Sequence, residues 1–575
     1  SAASDVYKRQ VVMKPHTKKL FAQIKNAVLI TAILIAVPLC IGTKDPFVTY
    51  GAAIITVALT GVLLYTNGFG ETKAPLVKGG ASLILSPDNL TISVEAATAD
   101  GSAVTVEGCT ETTLASGTET TLHAQGTTVI LKGKITELYC RDNQLIALNI
   151  QGLRALQELY CGGNQLTSLN VQGLSTLQDL FCNDNQLTSL NIKGLSALKW
   201  LDCSGNQLTA LNVQRVSTLQ WLACTENQLT TLDVQNLSAL QELDCGGNQL
   251  TTLNIQGVSV LQKLFCQDNR LTALNVQGLS ALQRLECGGN LLTVLNVQGL
   301  SSLQELYCGR NLLSTLNIQG LSALKELSCY GNLLTALNVQ GLTALKKLDC
   351  GINQLTTLNV QGLNVLERLW CTNNQLTALD VQGCTALQKL YCWYNQFTSL
   401  NVQGCTALEW LYCYNNHLPS LNVQGLTALQ GLHCSNNRLT VLNAQGCTAL
   451  EWLRCYNNKL TAINVQDLNA LRELNCWGNQ LTALNVQGCI ALNALWCYSN
   501  KLNADAFKKL FDDLPQRADS DDAKCYLYTE ETDVSEGNCT DFTTPAELQA
   551  AFQNAKDVKH WKMHKLNTSG DEEEI

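Results

Sequence analysis

Residues Leu240 to Val260 read LQELDCGGNQLTTLNIQGVSV, and variants of this 21-residue unit follow one another eighteen times between Ile135 and Leu502. Cysteine recurs at this period from Cys140 to Cys497, and asparagine recurs in the same way from Asn143 to Asn500. A fixed period of this length is typical of a solenoid, in which each unit buries its apolar face only against its neighbours. The sequence therefore predicts one elongated array instead of several globular domains.

The unit has the consensus Leu-x-x-Leu-x-Cys-x-x-Asn-x-Leu-x-x-Leu-Asn-Val-Gln-Gly-Leu-Ser-Ala. Its first half resembles the leucine-rich repeat signature, with Cys in one of the usual Leu positions. The repeats look closest to short-repeat bacterial leucine-rich repeat proteins of the cell surface, internalin-like in plan, and this resemblance covers 135–502. It implies a leucine-rich repeat superhelix, mainly β, with a parallel β-ladder on the concave face and extended or 3₁₀ segments on the convex side. It also implies a binding function.

Within one unit we place a strand on Leu-x-Cys, because successive side chains of a strand point to opposite faces. Leu243 and Cys245 then point inward, and the outward positions belong to Glu242, Asp244 and Gly246. Position 3 of the repeat precedes the second Leu, position 5 separates that Leu from Cys, and position 7 follows Cys. These three outward positions vary between copies, so they are where a ligand would be selected.

Two polar or flexible positions complete the unit. Asn248 and its copies should turn their amides inward to satisfy backbone groups of the loop. Gly257 and its copies should supply a positive φ in the convex turn. That glycine is replaced by Arg215, Asn236 and Asp467. We expect Arg215 to tolerate a positive φ least well of the three.

The chain has 26 cysteines. Eighteen occupy one core position, and Cys384, Cys405, Cys447 and Cys489 replace Leu at another, so we interpret them as small hydrophobic residues. Strands ~4.8 Å apart with parallel Cβ vectors disfavour pairing along the ladder, because disulfides need Cβ atoms ~3.8 Å apart. Outside the array are Cys40, Cys109, Cys525 and Cys539, and a bridge between the last two stays open.

The ends of the chain differ from the array. Residues 1–12 look like a cloning or sequence-assembly remnant before Met13, and 13–70 combine Lys14, Lys18, Lys19 and Lys25 with apolar runs at 27–42 and 47–70. We expect a signal or membrane anchor crossing through 27–66. If both runs insert, the array faces the cytosol; if one inserts, it faces outward. We favour a membrane-anchored array outside the cytosol, in the cell envelope.

Two caps should cover the ends of the solenoid. Short alternating segments within 71–134 predict a β-rich N-terminal cap. In 503–575 we expect an α/β C-terminal cap of two helix-then-strand units, with helices starting near Asn503 and Thr544 and strands at 525–528 and 558–563. The acidic tail 571–574 should be a solvated end.

Aromatic residues are concentrated in the outward positions, where Val, Ile and Thr are missing from both sides of the second Leu. This usage is typical of a recognition surface and differs from ordinary strand composition. The earlier repeats are more charged and should form a more polar contact zone. The predicted ligand-binding residues are Trp370, Tyr391, Trp393, Trp410, Tyr412, Tyr414, Trp452, Tyr456, Trp477, Trp496 and Tyr498.

A protein partner would use these rings as desolvated anchors, and the resemblance favours this reading. A glycan stacking on the same rings is the alternative, and a purely structural spacer is the third possibility. With a net charge of −9 and a sequence pI of about 5.3, and with Lys and Arg forming no stripe, the chain is not expected to bind nucleic acid.

No motif predicts chemistry. The spacing Cys-x-x-Asn is not that of a metal site, and His433 and Cys434 are strand neighbours that face opposite sides. We therefore predict no catalytic residue, no cofactor and no metal ligand.

Overall fold

The computed structural model describes residues 73–575, so the predicted leader and its two apolar runs lie outside the described residues. Within 73–575 no helix is both long and apolar enough to cross a bilayer. These residues form a mainly β solenoid with a small α/β region at the carboxyl end, which confirms the predicted fold class.

Every repeat contributes one short strand to a parallel ladder on the concave face. The register advances by one repeat each time, so that Glu242, Leu243 and Asp244 lie opposite Lys263, Leu264 and Phe265. Repeats are numbered 1 to 18 from Ile135. Their strands are Ile135–Tyr139, Glu158–Tyr160, Asp179–Phe181, Trp200–Asp202, Trp221–Ala223, Glu242–Asp244, Lys263–Phe265, Arg284–Glu286, Glu305–Tyr307, Glu326–Ser328, Lys347–Asp349, Arg368–Trp370, Lys389–Tyr391, Trp410–Tyr412, Gly431–His433, Trp452–Arg454, Glu473–Asn475 and Ala494–Trp496.

The inner side of the ladder is a continuous column of leucine and cysteine. Leu243 and Cys245 are fully buried, as are their counterparts in the other repeats. Burial removes apolar surface from water at ~25 cal/mol per Å², and a single repeat has no second layer to bury its face against. Stability therefore arises between repeats, which explains the regular period.

The asparagine ladder forms as predicted. Asn248 donates from Nδ2 to the carbonyl oxygens of Cys224 (2.9 Å), Cys245 (3.2 Å) and Gly246 (3.2 Å). Its Oδ1 accepts a hydrogen bond from the backbone N–H of Leu229, at 3.0 Å. Each asparagine thus ties its own loop to the preceding repeat.

The convex side consists of tight turns, with no α-helix among the repeats at 135–502. Leu153 and Leu156 donate backbone hydrogen bonds to the carbonyls three residues before them, at 2.9 and 3.1 Å, as in a single 3₁₀ turn. A second row of strands lies after the loop in some repeats: Leu145–Asn149, Thr231–Asp233, Thr252–Asn254, Ala378–Asp380, Ser399–Asn401, Ser420–Asn422 and Val441–Asn443.

Two positions of the repeat take left-handed backbone. Gly257 has φ +78°, as predicted, and Asn236 and Asp467 keep that conformation with φ 64° and 60°, whereas Arg215 leaves the left-handed region. The second position, just before the ladder asparagine, was not predicted. It is left-handed in all eighteen repeats, including Ile352 at φ 49°.

The N-terminal region packs on the first repeat through antiparallel strands. Thr91–Thr98 pairs with the strand of repeat 1, and Gly80–Leu85 pairs with Leu145–Asn149. Leu83 and Leu85 are fully buried, so this region covers the apolar end of the array. The remaining strands are Val104–Glu107, Thr113–Leu114, Thr120–His123 and Thr128–Lys132.

The C-terminal region extends the ladder. Helix α1 (Ala504–Asp513) is capped by Asn503, whose Oδ1 accepts from the N–H of Ala506 at 2.9 Å. Helix α2 (Ala546–Asp557) follows a 3₁₀ turn at Asp519–Asp521 and a strand at Lys524–Thr529. That strand pairs in parallel with repeat 18 and then with a strand at Lys562–Leu566.

Two details of this region differ from the sequence prediction. The last parallel strand starts at Lys562 instead of 558, because α2 continues to Asp557 and His560 then turns the chain with φ 58°. The acidic tail is solvated, as predicted, but Glu572–Glu574 also forms an antiparallel strand against Lys562–Leu566, which was not predicted. Lys565 contacts Glu573 at 3.5 Å, so opposite charge holds the tail at the sheet edge.

All cysteines of the described residues are free thiols. The bridge left open between Cys525 and Cys539 is not formed, since Cys525 lies within the core as a rung of the extended ladder. Burial raises the pKa of the ladder thiols, to about 12 for Cys140 and Cys308. Neutral buried thiols are poor nucleophiles and metal ligands, so the column is packing material.

Candidate functional site

The outward side chains of positions 3, 5 and 7 form one surface, called here the strand face. It is built by the ladder itself, because strand alternation turns these side chains away from the leucine core. Every predicted ligand-binding residue lies on this face and is half-buried. The strand face has two aromatic ends and a polar middle.

The aromatic belt is the end formed by repeats 12 to 18. Six of its rings contact one another in sequence from repeat 13 to repeat 18, with centroid distances from 4.3 to 5.8 Å. Stacked rings one rung apart stabilise each other beyond the area they bury. These six are Trp393, Tyr414, His433, Tyr456, Trp477 and Tyr498. The belt also contains Trp370, Tyr391, Trp410, Tyr412, Trp452 and Trp496.

Small residues in repeat 15 leave space for the aromatic rings of the neighbouring repeats. Trp410 and Trp452 stack at 5.5 Å although they are two rungs apart. They meet over Gly431, where an added Cβ would lie 2.5 Å from the Trp410 ring. Similarly, Ser435 is fully buried, and the imidazole of His433 occupies the gap between Tyr414 and Tyr456.

A second line of rings runs along position 5. Tyr391 lies 5.8 Å from Trp370 and 5.2 Å from Tyr412. At the far end Trp496 stacks on Tyr526 at 5.1 Å, and Tyr526 stacks on His564 at 5.1 Å. The sequence reasoning missed His433, Tyr526 and His564. Tyr526 was detectable as an aromatic residue in a predicted cap strand beside the ladder.

Burial controls the ionisation of the belt. Desolvation raises the pKa of Tyr414 to about 12 and also raises the pKa of Tyr498. Desolvation, with a smaller contribution from the positive charge of Arg454, lowers the pKa of His433 to about 4. At neutral pH the stacked core of the belt is therefore uncharged, as a desolvated contact surface requires.

In the polar section, positions 3 and 5 of repeats 6 to 11, every cation contacts a glutamate carboxylate, whereas Asp244 and Asp349 form no ion pair within the described residues. Lys263 contacts Glu242 at 2.9 Å, and Arg284 contacts Glu305 at 2.7 Å. Glu326 accepts from the Tyr307 hydroxyl at 2.5 Å and from Lys347 at 2.6 Å. Within the described residues no cation of this section is left without a carboxylate, and the section has an excess of negative charge.

The earliest repeats are not uniformly polar, which corrects the sequence interpretation. Tyr139, Tyr160 and Phe181 stack at 4.6 and 4.5 Å, and the guanidinium of Arg141 lies 4.3 Å from the Tyr160 centroid. Trp200 and Trp221 continue this N-terminal cluster. Charged residues lie beside these rings: the Tyr139 hydroxyl donates to the Glu158 carboxylate at 2.6 Å.

Metal-binding groups and the neighbours His433 and Cys434 are the remaining chemical candidates among the described residues. Within 73–575 no group of three or more His, Cys, Asp or Glu side chains is placed to hold a metal ion. Cys434 is fully buried, whereas His433 belongs to the strand face.

Comparisons with solved structures agree on the fold. The chain is 28% identical to a leucine-rich repeat protein of Leptospira interrogans, with 61% of this chain and 91% of that chain covered and a TM-score of 0.50. The functional domain of InlJ from Listeria monocytogenes, which includes a cysteine ladder, is 27% identical over 64% of this chain and 74% of that chain, with a TM-score of 0.48.

The leucine-rich repeat ectodomain of the plant membrane receptor kinase GASSHO1/SCHENGEN3 from Arabidopsis thaliana is similar as well. It is 22% identical over 72% of this chain and 54% of that chain, with a TM-score of 0.54. No family model matches the chain, and no curated protein matches it. The chain is a leucine-rich repeat solenoid, and its similarity to bacterial proteins of this type, expected from the repeat, is confirmed.

Proposed function

We propose that this protein is a non-catalytic recognition or adhesion protein that binds a protein ligand through the aromatic belt. The observation that carries the proposal is the contrast along one strand face, where the cations of the polar section pair with its glutamates and the belt presents half-buried rings. Rings that are partly desolvated before binding lose little conformational entropy when a partner covers them.

The stacking favours a protein over a glycan. A sugar needs an exposed ring face, yet Tyr456 and Trp477 use their faces on each other, 5.0 Å apart at 5°. What such a stack presents to solvent is ring edges and the phenol or indole polar groups. Ring edges pack well against aliphatic and aromatic side chains, so a protein surface fits better.

The fold supports the same reading. The Arabidopsis ectodomain of this fold is known in complex with CASPARIAN STRIP INTEGRITY FACTOR 2. A solenoid of parallel strands offers one long concave surface, which suits a protein contact. We further propose that the array is anchored at a membrane through 27–66 and lies outside the cytosol.

The test compares two variants of the full chain that each lose four rings. One carries Ala at Trp370, Tyr391, Trp410 and Tyr412 in the belt; the matched control carries Ala at Tyr139, Tyr160, Phe181 and Trp221 in the N-terminal cluster. Each variant is applied to a protein array and to a glycan array. We expect protein binding that only the belt variant loses, by at least about tenfold, the change that corresponds to losing ~1.4 kcal/mol of anchor energy.

Equal binding by both variants would show that the belt is not the contact surface. Glycan binding that depends on the belt would favour the alternative ligand class, and binding to neither array would support a spacer. Circular dichroism verifies that both variants keep the wild-type strand content. For the location, protease treatment of whole cells should remove the array if it lies outside the cytosol.

A further inference from the structure

Within the described residues, two cations at the start of the belt have no acidic partner. Arg368 and Lys389 occupy position 3 of repeats 12 and 13 and lie directly opposite each other in the ladder. Within 73–575 neither side chain makes an ion pair or donates a hydrogen bond. Both residues are half-buried.

The other cations at position 3 behave differently. Lys263, Arg284 and Lys347 each contact a glutamate carboxylate, at 2.9, 2.7 and 2.6 Å. Lys347 is the rung immediately before Arg368. Pairing is therefore the rule in this row, and it stops where the aromatic belt begins.

Leaving the pair unmatched costs free energy. Like charges directly opposite each other across a ladder repel, and the Nε of Arg368 is inaccessible to solvent without a hydrogen-bond acceptor. The terminal guanidinium nitrogens of Arg368 keep contact with solvent, and they can donate charge-assisted hydrogen bonds to an incoming carboxylate. Such a carboxylate would also reduce the repulsion between the two like charges.

Aromatic rings surround the pair. Lys389 lies opposite Trp410 on the next rung, and the phenol of Tyr391 is close enough to Arg368 for the positive charge to counteract part of its raised pKa. Trp370 is two residues from Arg368 on the same strand. A ligand here meets two positive charges and three rings together.

We propose that Arg368 and Lys389 bind the carboxylates of an acidic segment of a protein partner, whose apolar residues pack on Trp370, Tyr391 and Trp410. The inference rests on the proposed function, because it assumes that the belt contacts a protein. The acidic tail of a second copy is a poorer candidate, since Glu572 and Glu573 already contact Lys524 and Lys565. Acidic side chains next to apolar ones match both features of the surface.

The experiment measures binding of two fluorescein-labelled peptides to the full chain, one alternating Glu with Tyr and the other alternating Gln with Tyr. We expect the Glu peptide to bind more tightly, and its affinity to fall by about tenfold or more in the double variant Arg368→Gln/Lys389→Gln, because each cation forms a charge-assisted hydrogen bond. The control Lys199→Gln/Lys325→Gln removes the same charge from lysines that donate hydrogen bonds to Gln178 and Gln304. It should bind like wild type.

Equal affinity for the two peptides, or an equal loss in both double variants, would overturn the inference. Binding of heparin or DNA with the same dependence on Arg368 and Lys389, but without the Glu peptide, would also overturn it, in favour of a polyanion. A third variant, Trp370→Ala/Trp410→Ala, tests the proposed function separately. If the belt does not bind protein, this variant should bind the peptide as tightly as the wild type does. If the ring variant loses peptide affinity and the Arg368→Gln/Lys389→Gln variant does not, the proposed function stands and only the role of the two cations is wrong.

Discussion

The polar section and the aromatic belt share one backbone and differ in almost everything that faces outward. Both use the same ladder register and the same buried leucines and cysteines. In the polar section, carboxylates and cations satisfy one another, as Arg284 and Glu305 do at 2.7 Å. In the belt, rings stack, and two cations stay unpaired within the described residues. The comparison teaches that folding and the proposed recognition depend on different positions of the repeat.

If core and outward positions have separate roles, disrupting the core should lower the free energy of unfolding by the same amount in both regions. Asn290 in repeat 8 and Asn416 in repeat 14 each donate to three carbonyls and accept one backbone N–H. Replacing either by Ala leaves several buried polar groups unpaired, so we expect a loss of ~3–5 kcal/mol in local stability. Hydrogen exchange of the flanking repeats and the urea midpoint measure it.

The control for this pair is Gln186→Ala, at the exposed position next to a ladder asparagine, which should change stability by less than about 0.5 kcal/mol. A much smaller loss for one asparagine variant than for the other would contradict the idea of a common scaffold.

A change inside the belt should act more locally. Gly431→Ala places a Cβ 2.5 Å from the Trp410 ring, so the Trp410 and Trp452 stack must open, at a cost of ~1–3 kcal/mol. We expect altered near-ultraviolet circular dichroism of the tryptophans and unchanged exchange in repeats 6 to 11. Gly126→Ala, where an added Cβ meets nothing within 4 Å, is the matched control. An unaltered tryptophan spectrum would show that Gly431 does not position these rings.

The two regions should also respond to acid in opposite directions. Burial raises the pKa of Asp244 to about 6, so its protonated form suits the folded state, and its contribution to stability grows as the pH falls from about 6 to 4. The pKa of His433 is lowered to about 4, so its contribution is present above pH ~6.5 and is lost as the pH falls toward 4.

Urea midpoints at pH 7 and pH 5 separate these effects, which we expect to be ~1 kcal/mol each, since both side chains keep some contact with solvent. Relative to Asp244→Asn, the wild type should gain stability on acidification; relative to His433→Gln, it should lose stability. If the stability of the wild type changed in the same direction relative to both variants, one of the two groups would not be in the environment described above.

Much of this architecture follows from the sequence for a physical reason. A 21-residue period fixes the register, and strand alternation then determines which side chains are inside, so the core of Leu243 and Cys245 and the outward belt were predictable. The Asn248 hydrogen bonds followed from the need to satisfy buried loop carbonyls. Each of these features belongs to one position of the repeat, and comparing the eighteen copies identifies it.

The features that the sequence did not predict are contacts between side chains of different repeats. That Trp410 reaches Trp452 over Gly431, or that His433 fills the space above Ser435, depends on rotamers, which period and composition do not determine. The unpaired state of Arg368 and Lys389 is likewise visible only when every neighbouring carboxylate has been assigned a partner. The left-handed position before the asparagine was concealed because Glu226, Arg310, Ile352 and Tyr394 occupy it beside the expected Gly, Asn and Asp.

That left-handed position gives the smallest prediction, at the boundary between the two regions. Ile352 in repeat 11 has φ 49°, and Asn373 occupies the same position in repeat 12 with φ 51°. A β-branched side chain is strained there by ~1 kcal/mol or more, whereas asparagine tolerates the conformation. Ile352→Asn should therefore raise the urea midpoint, and Asn373→Ile should lower it by a similar amount. Because Ile352 is exposed, its removal sacrifices little buried apolar area. A lower midpoint for Ile352→Asn would mean that its apolar contacts outweigh the backbone strain.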